Sequence, residues 1–185
     1  MKDTSIAVKF NFKYLSVTPE DVARYAGGSN YRPDAERKAL AADILKRASA
    51  LVNPAFVYTT RPLDTADLVF SFLPYENNGA GKSFLTSAIC TIGPELESEI
   101  SKLMAQGKAL DALFLDAAGV SLLEALSDEV HSHLNKEAAK NGLFAGCRFG
   151  PGYGNIPVDA QKILFESVNA MPSAFSSRKA VSLPR

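Results

Sequence analysis

The sequence predicts an α+β fold, with a mainly antiparallel or mixed sheet flanked by helices. Three observations lead there. Apolar residues alternate with polar ones over 6–14, the period of a half-buried strand. Apolar residues recur at three- and four-residue steps over 109–140, the period of a helix. The predicted elements run strand, helices, strands, helices, without the regular strand–helix alternation of a doubly wound parallel sheet.

In the first strand Ile6, Val8, Phe10, Phe12 and Tyr14 share a face, with Lys9, Asn11 and Lys13 between them. Thr18 then caps a short helix. Pro19 follows it, giving up only an N–H that has no helical partner, and Gly27-Gly28 ends the helix. A second helix runs from Pro33 to Val52 on Leu40, Ile44, Leu45, Ala48 and Leu51, and Pro54 stops it. Strands are expected at 55–60, 67–74 and 83–92, the last two joined by the polar turn Glu76–Gly81 as a hairpin.

Gly93-Pro94-Glu95 opens a third helix that ends near Gln106-Gly107. The long helix 109–140 takes its apolar stripe from Leu115, Leu122, Leu123, Leu126, Val130 and Leu134, with a break expected near Gly119 and a cap at Gly142. A last helix covers 158–169. Residues 1–170 are expected to form a single domain, with the strand and helices of 1–54 at its start and 171–185 as a weakly structured tail.

Bulk properties narrow the function classes. Twenty basic and twenty acidic residues cancel, which argues against broad electrostatic capture of nucleic acid or an anionic membrane. No apolar run reaches the roughly 18–20 residues that cross a bilayer. The start, MKDTSIAVKF, lacks the apolar core of a signal peptide, so a cytoplasmic location is expected. Cys90 and Cys147 lie far apart and form no CxxC pair, so they point to neither zinc nor a disulfide framework.

Two tempting motifs fail on physical grounds. Gly79-Ala80-Gly81-Lys82-Ser83 lacks the earlier glycine of a phosphate-binding loop, having Glu76 there, and leads into strand-like rather than helical sequence. His131 and His133 are two apart on a helix, about 200° around the axis, and cannot ligate one metal together. No serine occupies a nucleophile elbow.

The segment Arg148-Phe149-Gly150-Pro151-Gly152-Tyr153-Gly154-Asn155-Ile156-Pro157 is different. Its glycines and prolines exclude regular structure. Gly150, Gly152 and Gly154 allow close backbone approach, and Pro151 stiffens the loop. Arg148 offers a forked donor suited to a carboxylate or phosphate, and Tyr153 a flat face with a hydroxyl. Two readings stand side by side: a binding loop for a small anionic or zwitterionic ligand, with backbone groups left to bond it, and a stiff connector between helices.

Arg148–Pro157 resembles the R-F-x-P-G-Y-G-x-x-P run of small stand-alone relatives of the AdoMet-binding activation domain of cobalamin-dependent methionine synthase. Thr91-Ile92-Gly93-Pro94-Glu95-Leu96-Glu97 looks like that group's strand-to-helix turn, and Leu115-Asp116-Ala117-Ala118-Gly119 fits its order. The resemblance covers about 55–170. It implies an activation-domain-like fold in which Arg148, Gly150 and Tyr153, with Glu124 on the long helix, bind S-adenosylmethionine, while Pro151, Gly152 and Gly154 shape the loop. Helical spacing puts Ser127, Asp128 and His131 on the Glu124 side. The N-terminal part offers no match for the family's acidic AdoMet ligand there, and the family continues past the point where this chain stops.

The function so implied is support of reductive methylation, the reactivation of cobalamin held by a partner methionine synthase or related corrinoid methyltransferase. The chain would then be an accessory component with a flavodoxin-type electron donor as a further partner. It carries no D-x-H-x-x-G cobalamin motif of its own. The alternatives are a non-catalytic docking or AdoMet-sensing module for a corrinoid protein, and a binder of another small anionic metabolite.

Overall fold

A computed structural model describes residues 5–11, 15–28, 30–63, 84–168 and 181–182. The fold is mixed α/β, with an antiparallel sheet and helices, in agreement with the sequence-based expectation. The elements are β1 (Ile6–Lys9), α1 (Pro19–Gly27), α2 (Ala35–Leu51), β2 (Ala55–Pro62), β3 (Phe84–Thr91), α3 (Glu95–Ala105), α4 (Ala109–Lys140), α5 (Ala160–Ser167) and β4 (Val181–Ser182). Packing groups them into two compact units assembled from interleaved segments, so that neither unit is a continuous stretch of chain.

One unit comprises Met1–Val8, Phe56–Ile89 and Glu137–Arg185 and holds most of the sheet, ordered β3-β2-β1-β4. The interior strand β2 buries Phe56, Val57, Tyr58 and Thr59 in succession. That continuous run marks a strand covered on both faces, in contrast to the alternation of a half-exposed one. Phe56 and Tyr58, two residues apart and therefore on one face, stack at 6.0 Å between ring centroids. Thr60 and Thr86 pair across β2 and β3 through their hydroxyls at 2.9 Å. The Ser5 hydroxyl donates to the carbonyl of Val168, tying the start of β1 to the end of α5.

β1 is shorter than the alternating run that announces it. Only Val8 is buried, Ile6 is exposed, and the ladder stops at Lys9. The Phe10 amide still donates to the Pro54 carbonyl at 2.9 Å, but the neighbouring strand begins only at Ala55. Phe12 and Tyr14, the strand expected at 67–74 and its turn lie outside the described residues. Within the tail, Val181–Ser182 pair as β4 beside β1.

The second unit comprises Lys9–Ala55 and Cys90–Lys136. The Thr18 hydroxyl accepts the Asp21 amide at 3.2 Å while the Asp21 carboxylate accepts the Thr18 amide at 3.0 Å, a complete capping box that starts α1. α2 begins two residues later than expected because Asp34, one place beyond Pro33, caps it by accepting the Arg37 amide at 2.9 Å. Its inner face is Ala41, Ile44 and Ala48, smaller than the leucine stripe expected. Leu40, Leu45 and Leu51 are half-buried beside it. Arg47 on α2 reaches Glu99 on α3 at 3.2 Å.

α4 contradicts the expected break: it runs unbroken through Gly119, which is buried. A Cβ there would come 3.0 Å from Leu96 Cδ2 and 3.7 Å from Ile92 Cδ1. The glycine lets α3 approach α4 and interrupts nothing. Leu115, Leu122 and Leu126 are fully buried, as their spacing requires. Leu123 is not, since it stands about 100° around the helix from Leu122 and is exposed. At the other end Gly142 (φ 67) closes α4 as expected. Its amide donates to Ala139 and the Leu143 amide to Ala138, the two bonds of a Schellman cap. α5 is shorter than the expected 158–169, with Val158 and Asp159 in a turn ahead of it.

Candidate functional site

The glycine-rich segment folds as two successive turns without regular structure. Pro151 and Gly152 occupy the central positions of the first. Proline presets φ at one, and Gly152 at φ 88 takes the positive angle that L side chains resist at the next, a type II pattern closed by the Tyr153 amide on the Gly150 carbonyl at 3.1 Å. Gly154 (φ 57) carries the second turn, closed by the Ile156 amide on the Tyr153 carbonyl at 3.0 Å. The Gly152 amide donates to the Ile156 carbonyl at 2.9 Å and clamps the two together.

The amides of Gly152, Tyr153 and Ile156 are engaged inside the loop and shape it. The loop also offers side chains to its surroundings. Arg148 is exposed, Phe149 is half-exposed, and Tyr153 is 71% exposed. Gly150 lies beside the tyrosine: a Cβ there would stand 3.4 Å from Tyr153 Cδ2, at the near edge of ordinary van der Waals contact.

Glu124 belongs to the other compact unit. It lines a polar hollow of about 130 Å³ together with Ser16, Asp21, Arg24, Tyr25 and Asp128. Helical spacing anticipated Asp128 beside Glu124, one turn on. Asp21, Arg24 and Tyr25, from the first and last turns of α1, were missed. Nothing in the local sequence says that this face of α1 meets α4. The Thr18 hydroxyl, then the Thr18 amide, hold the Asp21 carboxyl below the ordinary carboxylate range against the opposing effect of burial, and Arg24 at 3.6 Å adds the smallest share. Arg24 also lies over the Tyr25 ring, 5.0 Å from its centroid. The hollow thus combines three carboxylates, one guanidinium and an aromatic ring. Such a set recognises an ammonium or a zwitterion better than a simple anion.

Among the described residues no group of three His, Cys, Asp or Glu side chains is placed to hold a metal ion, and no helix is long and apolar enough to cross a membrane. His131 and His133 are both half-buried on α4.

No family model matches the sequence, and no curated protein matches it. Among solved structures, the fold is similar to the crystal structure of the MetH reactivation domain bound to AdoHcy. The TM-score is 0.63 at 17% identity, over 90% of this chain and 70% of that one. The likeness is one of fold: the chain has a methionine synthase activation domain-like architecture. This agrees with the fold expected from the Arg148–Pro157 and Thr91–Glu97 segments. Thr91–Glu97 does form a strand-to-helix turn, leaving β3 and entering α3, with the Gly93 amide donating to the Thr91 hydroxyl at 3.1 Å. Leu115–Gly119 lies within α4.

Proposed function

We propose that this protein binds S-adenosylmethionine and supports reductive methylation of a cobalamin held by a separate corrinoid methyltransferase. The observation that carries the reading is the loop at 148–157. It resembles the ligand loop of activation domains in sequence, lies in a fold similar to one solved with AdoHcy bound, and presents Arg148 and Tyr153 outward.

The residues present fit such a ligand. Arg148 is suited to the methionine carboxylate, because its planar guanidinium donates two parallel hydrogen bonds. Tyr153 offers an exposed ring face, and Gly150 leaves room for that ring. Glu124, on the other compact unit, lines a hollow with two further carboxylates. Bound AdoMet would supply an already activated methyl group on its sulfonium, so no general base is required of the chain. What this chain's residues contribute is binding and orientation. Electrons come from a separate reductant of the flavodoxin type, and the corrinoid stays with its own protein in the cytoplasm.

Calorimetric titration of AdoMet into the wild type and Arg148→Ala tests the reading. Removing a charge-assisted pair should cost about 1.5–3 kcal/mol, a ten- to hundredfold weakening. Equal affinity in both proteins would remove Arg148 from the site. Absence of wild-type binding would overturn the AdoMet assignment.

A further inference from the structure

The outer face of α4 has features that the proposed AdoMet site does not use. Ala109, Leu113, Asp116, Val120, Leu123 and Ser127 follow one another at steps of four, three, four, three and four residues. That is the 3.5-residue repeat with which one helix receives another. The row lies on the far side of α4 from the buried Ala118 and Leu122. It is open to solvent: Leu113 is 48% exposed, Val120 and Leu123 are 40%, and Ala109 and Asp116 are exposed too. Leu110, 49% exposed, widens the apolar strip at its start.

Charge singles out what fits there. Between Ala109 and Val130 the helix carries the five carboxylates of Asp111, Asp116, Glu124, Asp128 and Glu129 and no lysine or arginine, a local acidic run within a chain whose charges cancel as a whole. Arg24 of α1 stands at one border, in the hollow with Glu124 and Asp128. Asp116 sits in the middle of the row, and its carboxylate makes no ion pair or hydrogen bond among the described residues. A polar residue within such a seam sets register and selects a complementary partner.

We propose that this face is a docking seam for a cationic amphipathic helix of a partner protein, with a lysine or arginine placed opposite Asp116. A second copy of the chain is disfavoured, because antiparallel pairing of two such rows puts Ala109 against Leu123 and Leu113 against Val120 but brings the two Asp116 carboxylates together at the centre. None of the six seam residues belongs to the proposed AdoMet site.

The test uses the full chain and two synthetic amphipathic helices of about three heptads, with leucine at the seam positions and either lysine or glutamate flanking them. Binding is followed by fluorescence anisotropy at low salt. The lysine peptide should bind saturably, and Val120→Asp should weaken it by about tenfold or more. Asp116→Lys should weaken the lysine peptide and gain affinity for the glutamate one. Both positions are exposed, so thermal melts should show each variant folded like the wild type. Four results would each overturn the proposal: no saturable binding, equal binding of the two peptides, binding indifferent to Val120→Asp, or self-association in sedimentation that Val120→Asp abolishes.

Discussion

Gly119 on α4 faces Leu96 on α3 so closely that a Cβ at position 119 would lie 3.0 Å from Leu96 Cδ2. Two opposing effects follow for substitution there. Alanine gains about 1 kcal/mol in helix propensity over glycine, and the methyl it meets is the far end of a leucine, which can give way. Gly119→Ala should therefore change stability by less than about 1 kcal/mol in either direction. Valine adds further carbons with no room for them, and Gly119→Val should destabilise by about 1–3 kcal/mol in urea unfolding. Wild-type stability in the valine variant would show that α3 and α4 are not held this close.

The capping box of α1 makes a pH-dependent contribution. Thr18→Ala removes the hydroxyl that receives the Asp21 amide and should cost about 1 kcal/mol at neutral pH. The Asp21 carboxyl is held low in the folded state by Thr18, so the stabilisation is present above the unfolded carboxyl pKa of about 3.9 and is lost as pH falls through the folded value. Unfolding measured from neutral pH downward should show a shallower acid loss in Thr18→Ala than in the wild type. Parallel acid limbs would mean that the bond is absent in solution.

Tyr58 predicts the opposite limb. Burial in β2 raises its phenol, the Glu137 carboxylate raises it further, and Lys140 opposes. The fold therefore favours the neutral phenol. Its stabilisation is complete below the unfolded value of about 10 and is lost as pH rises through the higher folded one. Tyr58→Phe should flatten the alkaline loss of stability, read by unfolding at rising pH. An alkaline limb identical in both proteins would rule out Tyr58 as its source.

In the loop, Gly152→Ala places a side chain at φ 88. The new Cβ would find ordinary room, 3.6 Å from Val158 Cγ2, so the cost is conformational: about 1 kcal/mol or more of stability. If the loop holds AdoMet as proposed, calorimetry should show affinity falling with it. A folded Gly152→Ala protein with unchanged AdoMet affinity would move the ligand away from this turn.

What could be read from the chain alone was what depends on neighbours in sequence. Thr18, Pro19 and Asp21 start a helix by bonds three residues apart, Gly142 ends one, and Pro151-Gly152 makes a turn within four residues. The strand-to-helix passage at Thr91–Glu97 is legible for the same reason. The alternation over 6–14 named a strand but not its length, because a ladder extends only as far as its neighbour does.

The sequence by itself determined the α+β order, the caps at Thr18 and Gly142 and the turns of the loop, since these follow from backbone geometry and side-chain bonds over a few residues. Only the tertiary structure decided that Gly119 is a contact and not a break, that Leu122 turns inward while Leu123 turns out, and that Asp21 shares a hollow with Glu124 and Asp128. Each depends on which distant segment packs against a given face. Periodicity marks that a face exists and leaves open what will meet it.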